Sequence, residues 1–174
     1  MVERCVSPSY KHNATESHLG LPRSDDVTTT VQAAAFPLPD YSYKSTLSVF
    51  DSIFAHQWAT TAKSEFRVAV WNSGAGIFKT FLEVTEEDIQ DSLQTNVTAA
   101  FAFSRRAILA FKDNQLDENG SKGTLIFTGA TAAIRGNVWT SAFAAGKFGV
   151  RALSQSLAKE FGKENIHVRL YIVH

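Results

Sequence analysis

Three short apolar runs constrain the fold more than anything else in this chain. They are Val68-Ala-Val-Trp71, the run Leu125-Ile126-Phe127 closing on Thr128-Gly129, and Ile166 to Val173, and long stretches with helical spacing separate them. Strands that alternate with helices of about ten residues or more cannot close as hairpins, so they pair in parallel, with the helices as crossovers. The pattern therefore predicts an α/β fold, a parallel sheet covered on both faces.

Residues 1 to about 30 read as a separate segment, irregular or disordered by composition, with Ser, Thr, Asn, His and Asp among few large apolar residues. The domain is expected over 31–174. From Val31 to Asp40 a short strand is possible, confined to an edge by Pro37 and Pro39. Ser45 can cap a helix to about Ala62, with Leu47, Phe50, Phe54 and Trp58 at three- and four-residue intervals. Asn-Ser-Gly-Ala-Gly76 follows the first apolar run as a tight loop, and Thr85-Glu-Glu-Asp88 reads as a near capping box. The helix it opens carries Ile89, Leu93, Val97, Ala100 and Phe111 on one stripe and ends before the polar turn from Asp113 to Gly123. A strand over Thr124 to Gly129, a helix over Ser141 to Phe161 stopped at Gly162, and a strand over Ile166 to Val173 complete the pattern.

Seventeen basic and seventeen acidic residues cancel among 174, which argues against nucleic acid or an anionic membrane surface as the main partner. Arg105-Arg106, the only basic doublet, is explained by a solvated helix face. The single cysteine, Cys5, allows no internal disulfide, and no apolar run reaches the ~18 residues of a membrane span. A soluble, cytoplasmic protein is expected. There is no CxxC, HExxH or GxSxG, and the five histidines lack ligand spacing, so metal and serine-hydrolase chemistry are set aside.

Two polar residues stand on faces that should be buried. Asn96 lies between Leu93 and Ala100 on the inward stripe, where an amide must satisfy both donor and acceptor, and a structural role explains it as well as a catalytic one. Lys147 shares a helix face with Phe143, four residues earlier, and with Val150 and Ser154, so its ammonium is either withdrawn from water or snorkels out. In the loop after Trp71, Gly74 and Gly76 carry no side chain and Ala75 only a methyl, leaving room for a ligand against the backbone.

Together these features resemble the short-chain dehydrogenase/reductase family over roughly residues 31 to 174. Ser73-Gly74-Ala75-Gly76 matches its Asn-Asn-Ala-Gly loop, Thr95-Asn96-Val97 its helix asparagine, and Phe143-Ala-Ala-Gly-Lys147 its Tyr-x-x-x-Lys motif. Asp40 is similar to the aspartate near the cofactor's adenine, and Gly162 to Val173 resembles the strand after the catalytic helix. The resemblance implies a Rossmann-like doubly wound sheet, NAD or NADP as cofactor, and a small carbonyl or alcohol as substrate. It places Asp40, Ser73, Gly74, Ala75, Gly76, Thr128 and Lys147 at the cofactor. It also implies a homo-oligomer through the helices that bear Asn96 and Lys147.

The departures are chemical. Where the family has its proton-transferring tyrosine stands Phe143, and where it has the serine that orients the carbonyl stands Ala130. A phenyl ring has no ionisable proton, so general acid–base catalysis from that position is impossible. Thr131, one residue on, offers a hydroxyl nearby; Asn96 and Lys147 keep the family's residue types. The loop Thr128-Gly-Ala-Thr-Ala-Ala-Ile-Arg-Gly136 with Phe143 is also similar to a branch of the family that has Phe in place of the tyrosine. Only Gly20 precedes Gly74 among the glycines, so no Gly-rich phosphate loop lies in the N-terminal part. Relative to the family, the first βαβ unit and the last strand are missing, which would leave Val68–Trp71 on an open edge. The expectation is a divergent, truncated member with weak or no reductase activity, a pseudoenzyme. Its alternatives are a non-catalytic binding or dimerisation protein and a non-functional fragment of a longer oxidoreductase.

Overall fold

The structure, a computed structural model, describes residues 32–58 and 64–173. Three strands pair in parallel in the order β1 (Val68–Trp71), β2 (Gly123–Ala130), β3 (Ile166–Val173), with Trp71 opposite Phe127 and Phe127 opposite Leu170. The α/β, Rossmann-like reading holds, and among the described residues the sheet has only these strands. Four helices accompany them: α1 (Tyr43–Ala55), α2 (Glu86–Leu93), α3 (Ala99–Lys112) and α4 (Ser141–Phe161).

The core forms where α1, α3 and α4 meet one face of the sheet. Phe50, Ala69, Trp71, Ala100, Ile108, Phe111, Leu125, Phe127, Val150 and Leu153 are buried together there. Alternation along the strands sends Ala69, Trp71, Leu125 and Phe127 into this layer. The intervening positions of β3, His167, Arg169, Tyr171 and Val173, are exposed, and those of β1 and β2 are half-buried. The expectation of helices on both faces is therefore corrected: the described helices cover one face only. The physical reason lies in β3, whose sequence already alternates apolar with polar, as a strand buried on one side does.

Several local expectations also change. Helix α1 starts earlier, because Ser42 and not Ser45 is its cap, accepting from the Ser45 backbone N–H at 3.1 Å. It ends at Ala55; Trp58 lies beyond it, with its ring edge-on to His56 at 4.5 Å, and Ala62 falls outside the described residues. No strand forms over 32–42. Instead Phe36, Leu38 and Tyr41 pack onto the core from irregular backbone, as prolines at 37 and 39 favour. Val31, Cys5 and the irregular segment expected over 1–30 lie outside the described residues. Arg106 is not simply solvated, for it pairs with Asp51 of α1 and lies over the Phe54 ring.

The capping box at Thr85 and Asp88 forms with both bonds in place, and Lys79 holds the same carboxylate at 2.7 Å. Beyond α2 the chain makes a π-helical turn, Gln94–Thr98, before α3 begins. That turn carries one residue more than an α-turn and rotates the face that follows. Ile89 and Leu93 consequently stand 45% and 42% exposed, whereas Ser92 and Asn96 are fully buried. The inward stripe expected from apolar spacing is wrong at its start and right from Ala100 to Phe111.

Gly123 opens β2 against α3, and a Cβ there would stand 2.3 Å from the Phe111 ring. Gly123→Ala should lower stability by about 1–3 kcal/mol through overpacking. The measurement is a urea titration in which the midpoint falls while the slope stays unchanged.

Candidate active site

Three elements converge at the C-terminal ends of the strands: the loop after β1, the π-turn between α2 and α3, and the first half of α4. Their meeting point is Asn96, whose Nδ2 donates to Ala75 O at 3.3 Å and Ser92 O at 3.0 Å, with Ser92 Oγ at 3.3 Å. Ser92 Oγ in turn donates to Ala142 O at 2.7 Å, so helix α4 is tied to α2 through a buried hydroxyl. The other end of the amide, Oδ1, is buried with no hydrogen-bond partner. Helix α4 approaches this closely only because Gly146 has no side chain: a Cβ there would lie 2.8 Å from both Asn96 Nδ2 and Ser92 Oγ.

One residue on, Lys147 is 7% exposed and its Nζ donates to Thr128 O, at the end of β2, at 3.2 Å. Burial depresses its pKa below the ordinary lysine value, because a desolvated ammonium loses hydration that one carbonyl only partly replaces. Nζ lies 5.9 Å from the centre of the Phe143 ring, which tilts against Phe78 at 5.5 Å. Gly74 faces both polar groups, since a Cβ on it would stand 2.9 Å from Lys147 Nζ and 3.0 Å from Asn96 Oδ1.

The structure thus brings together Asn96, Lys147, Phe143, Gly74, Ala75 and Thr128. Ser73 is held at the side of this group, with its Oγ 3.3 Å from Tyr41 OH, while Gln94 Nε2 donates to Tyr41 O at 2.6 Å. A Cβ on Gly76 would meet the Phe78 ring at 3.0 Å, so that glycine makes room for the aromatic wall. Ala130 ends β2 half-buried, and Thr131 begins the short 3-10 turn Thr131–Ala133, its carbonyl accepting from Ile134 and Arg135. Asp40 is exposed and accepts from Ser42 N at 2.7 Å; the Ser42 side chain first, and that backbone bond second, hold its carboxyl below the usual range. It thereby contacts Ser42, the cap of α1.

Sequence reasoning missed Ser92, Phe78 and Gly146. Ser92 could have been found, since it precedes Asn96 by four residues on one helix face. Phe78 carried no such signal.

A nicotinamide cofactor fits one half of this arrangement. Lys147 and the small loop at Gly74–Gly76 could hold its ribose and nicotinamide. The pyrophosphate is not matched among the described residues: the glycine-bearing loop after β1 leads to α2, whose first turn is Glu86-Glu87-Asp88, and three carboxylates there oppose an anion.

Residues 52–173 match the short chain dehydrogenase family, and the chain belongs to that family. It is 38% identical over 106 residues to L-2,3-butanediol dehydrogenase of Corynebacterium glutamicum, an alignment that covers 61% of this chain and 39% of that protein. With a 3alpha-hydroxysteroid dehydrogenase of Mediterraneibacter gnavus it shares 33% over 101 residues, or 58% of this chain and 38% of the relative. A short-chain dehydrogenase structure from Rhodopseudomonas palustris superposes with a TM-score of 0.64 at 29% identity, covering 80% of this chain and 58% of that one. The chain therefore spans well under half the length of these two curated relatives. No helix among the described residues is long and apolar enough to cross a membrane.

The Lys147 shift has a definite sign in stability. Because its folded pKa is depressed, the penalty for a buried ammonium is felt in full below that folded value and fades as pH rises towards the unfolded one. Wild-type stability should therefore contain a component that rises on going alkaline. Lys147→Met should flatten that slope in urea titrations repeated between neutral and alkaline pH, and equal slopes in the two proteins would contradict this account of the lysine.

Proposed function

We propose that this chain is a divergent member of the NAD(P)-dependent oxidoreductases whose own residues support weak or no reductase activity. The observation that carries the reading is the pairing of Lys147 with a phenyl ring, 5.9 Å from its Nζ, where proton transfer would need a hydroxyl. Ala130 supplies a methyl where a substrate carbonyl would need a donor. Depressing the pKa of a neighbouring tyrosine is useful only if a tyrosine is there. Asn96 and Lys147 would remain as positioning groups, with Ser73, Gly74, Ala75, Gly76 and Thr128 bordering the nicotinamide end of a cofactor. Asp40 would lie at its far end. A small carbonyl or alcohol is the corresponding substrate class, and the choice between NAD and NADP rests on residues outside this group. Thr131 would be a substitute hydroxyl only through a rearranged turn, since its backbone carbonyl anchors the turn Thr131–Ala133.

A second reading, a non-catalytic pairing module, is favoured by one feature. Helices α3 and α4 flank a groove of about 290 Å³ beside Phe101 and Leu109, which stand 50% and 48% exposed. Large apolar side chains on adjoining helices suit a contact with a second copy. Most of the Ala99–Phe103 stretch cannot contribute, however, because Ala99, Ala100 and Ala102 are already fully buried in the core.

Both readings are tested on one preparation. Calorimetric titration with oxidised and reduced cofactors should give no heat up to about millimolar concentration, the limit of useful binding. Small-carbonyl reduction should stay far below the ~1 s⁻¹ lower end of ordinary turnover, and it should stay there in the Phe143→Tyr, Ala130→Ser double variant. A wild-type rate in the ordinary range would overturn the first reading, and light scattering from a clean monomer would overturn the second.

A further inference from the structure

Lys147 has no tyrosine beside it to acidify, yet the surroundings of its buried amine suit another reaction. Among the described residues the four ion pairs involve other basic groups, so no carboxylate holds this nitrogen as an ammonium. Its hydrogen bond to Thr128 O uses one of three donors. The nitrogen and the unpartnered, fully buried Asn96 Oδ1 converge on Gly74, which is itself exposed: a Cβ there would stand 2.9 Å from the nitrogen and 3.0 Å from the oxygen.

Aromatic rings stand near this nitrogen. The Phe143 ring lies over the nitrogen and tilts against Phe78, which is 66% exposed. Lys79 N donates to Trp139 O at 2.9 Å, which joins the loop bearing Phe78 to the loop bearing Trp139. Trp139 is itself held at φ 64, a left-handed conformation that a bulky residue rarely adopts. The turn from Asn137 to Thr140 imposes it: Thr140 Oγ1 accepts from Asn137 N at 2.9 Å and Asn137 Oδ1 accepts from Val138 N at 2.8 Å. The result is an exposed indole on a loop tied to the one that bears Phe78, in a costly backbone conformation that persists where surrounding structure demands it.

We propose that Lys147 is an amine nucleophile that takes up an apolar, aromatic aldehyde as a Schiff base, with the aldehyde's ring seated against Phe78 and Phe143. The free amine adds to the carbonyl carbon and forms the C–N bond; the carbonyl oxygen takes a proton and becomes the hydroxyl of a carbinolamine. That hydroxyl donates to Asn96 Oδ1, the one buried acceptor there without a donor. Loss of the hydroxyl with the remaining nitrogen proton releases one water and leaves the imine, so aldehyde plus amine give imine plus water with no oxidant or reductant. Desolvation, which favours the neutral amine, is how other enzymic lysines become nucleophiles.

The test uses the intact chain with 2-naphthaldehyde and cyanoborohydride, which reduces each imine to a stable adduct, followed by peptide mapping by mass spectrometry. Lys147 should be labelled at least about tenfold faster than Lys44, Lys159 and Lys163, which are exposed to solvent rather than buried. Acetaldehyde, which has no ring to seat, should lose that preference. Labelling of Lys147 no faster than of the exposed lysines would overturn the proposal. Equal preference with the two aldehydes would overturn its aromatic part. Lys147→Arg, checked for folding by circular dichroism, should leave the labelling of the other lysines unchanged.

Discussion

One side-chain amide holds this structure and its candidate site in a single arrangement. Asn96 sits where a π-turn interrupts the helical run from α2 to α3, and its Nδ2 reaches the backbone of the loop after β1 and of α2. The turn turns the amide inward where the neighbouring Leu93 points out. Gly146 allows α4 to close on it, and the same closure brings Lys147 to Thr128 O. Any side chain at position 74 or 146 would displace either the amide or the ammonium. The fold's tightest contacts and the candidate site are therefore the same contacts.

That coincidence explains how the geometry can persist without the reacting groups. Neither Asn96 nor Lys147 takes a hydrogen bond from position 143 or 130. Phe143 has an apolar partner of its own in Phe78, so a phenyl ring is accommodated where a hydroxyl would have needed hydrogen bonds. What changes is the chemistry available to Lys147. With no hydroxyl to acidify, a buried amine beside aromatic walls has its own nucleophilicity as its main resource.

Much of the fold was legible because strand and helix periods are local properties. Helix α4 and strand β3 have the bounds that periodicity and Gly162 predict. The Thr85–Asp88 cap formed because its two partners lie three residues apart in the chain. The errors arose where a non-local cause decided. Nothing local marks Gln94–Thr98 as a π-turn, so Ile89 and Leu93 were counted inward. The cap of α1 moved to Ser42, which Asp40 positions from outside the helix. Asn96 and Lys147 were legible as polar residues on apolar faces, a conflict that sites create. Phe78 and Ser92 were not singled out, because an aromatic after a glycine loop and a serine in a helix conflict with nothing. The open sheet face was visible in the alternation of β3 but was overridden by the general habit of parallel sheets.

The central claim is that the Asn96 amide, not apolar packing alone, locks the π-turn to the loop after β1 and to α4. Urea denaturation of Asn96→Leu, a change that nearly preserves volume, tests it most directly. Ser92 O and Ala75 O would lose their donor, at about 1–3 kcal/mol for each buried group left unsatisfied, and removal of the unpartnered Oδ1 would recover only part of that. The account predicts a net loss of about 2 kcal/mol with an unchanged urea dependence. Stability equal to or above that of the wild type would show that packing holds the junction and would contradict the account.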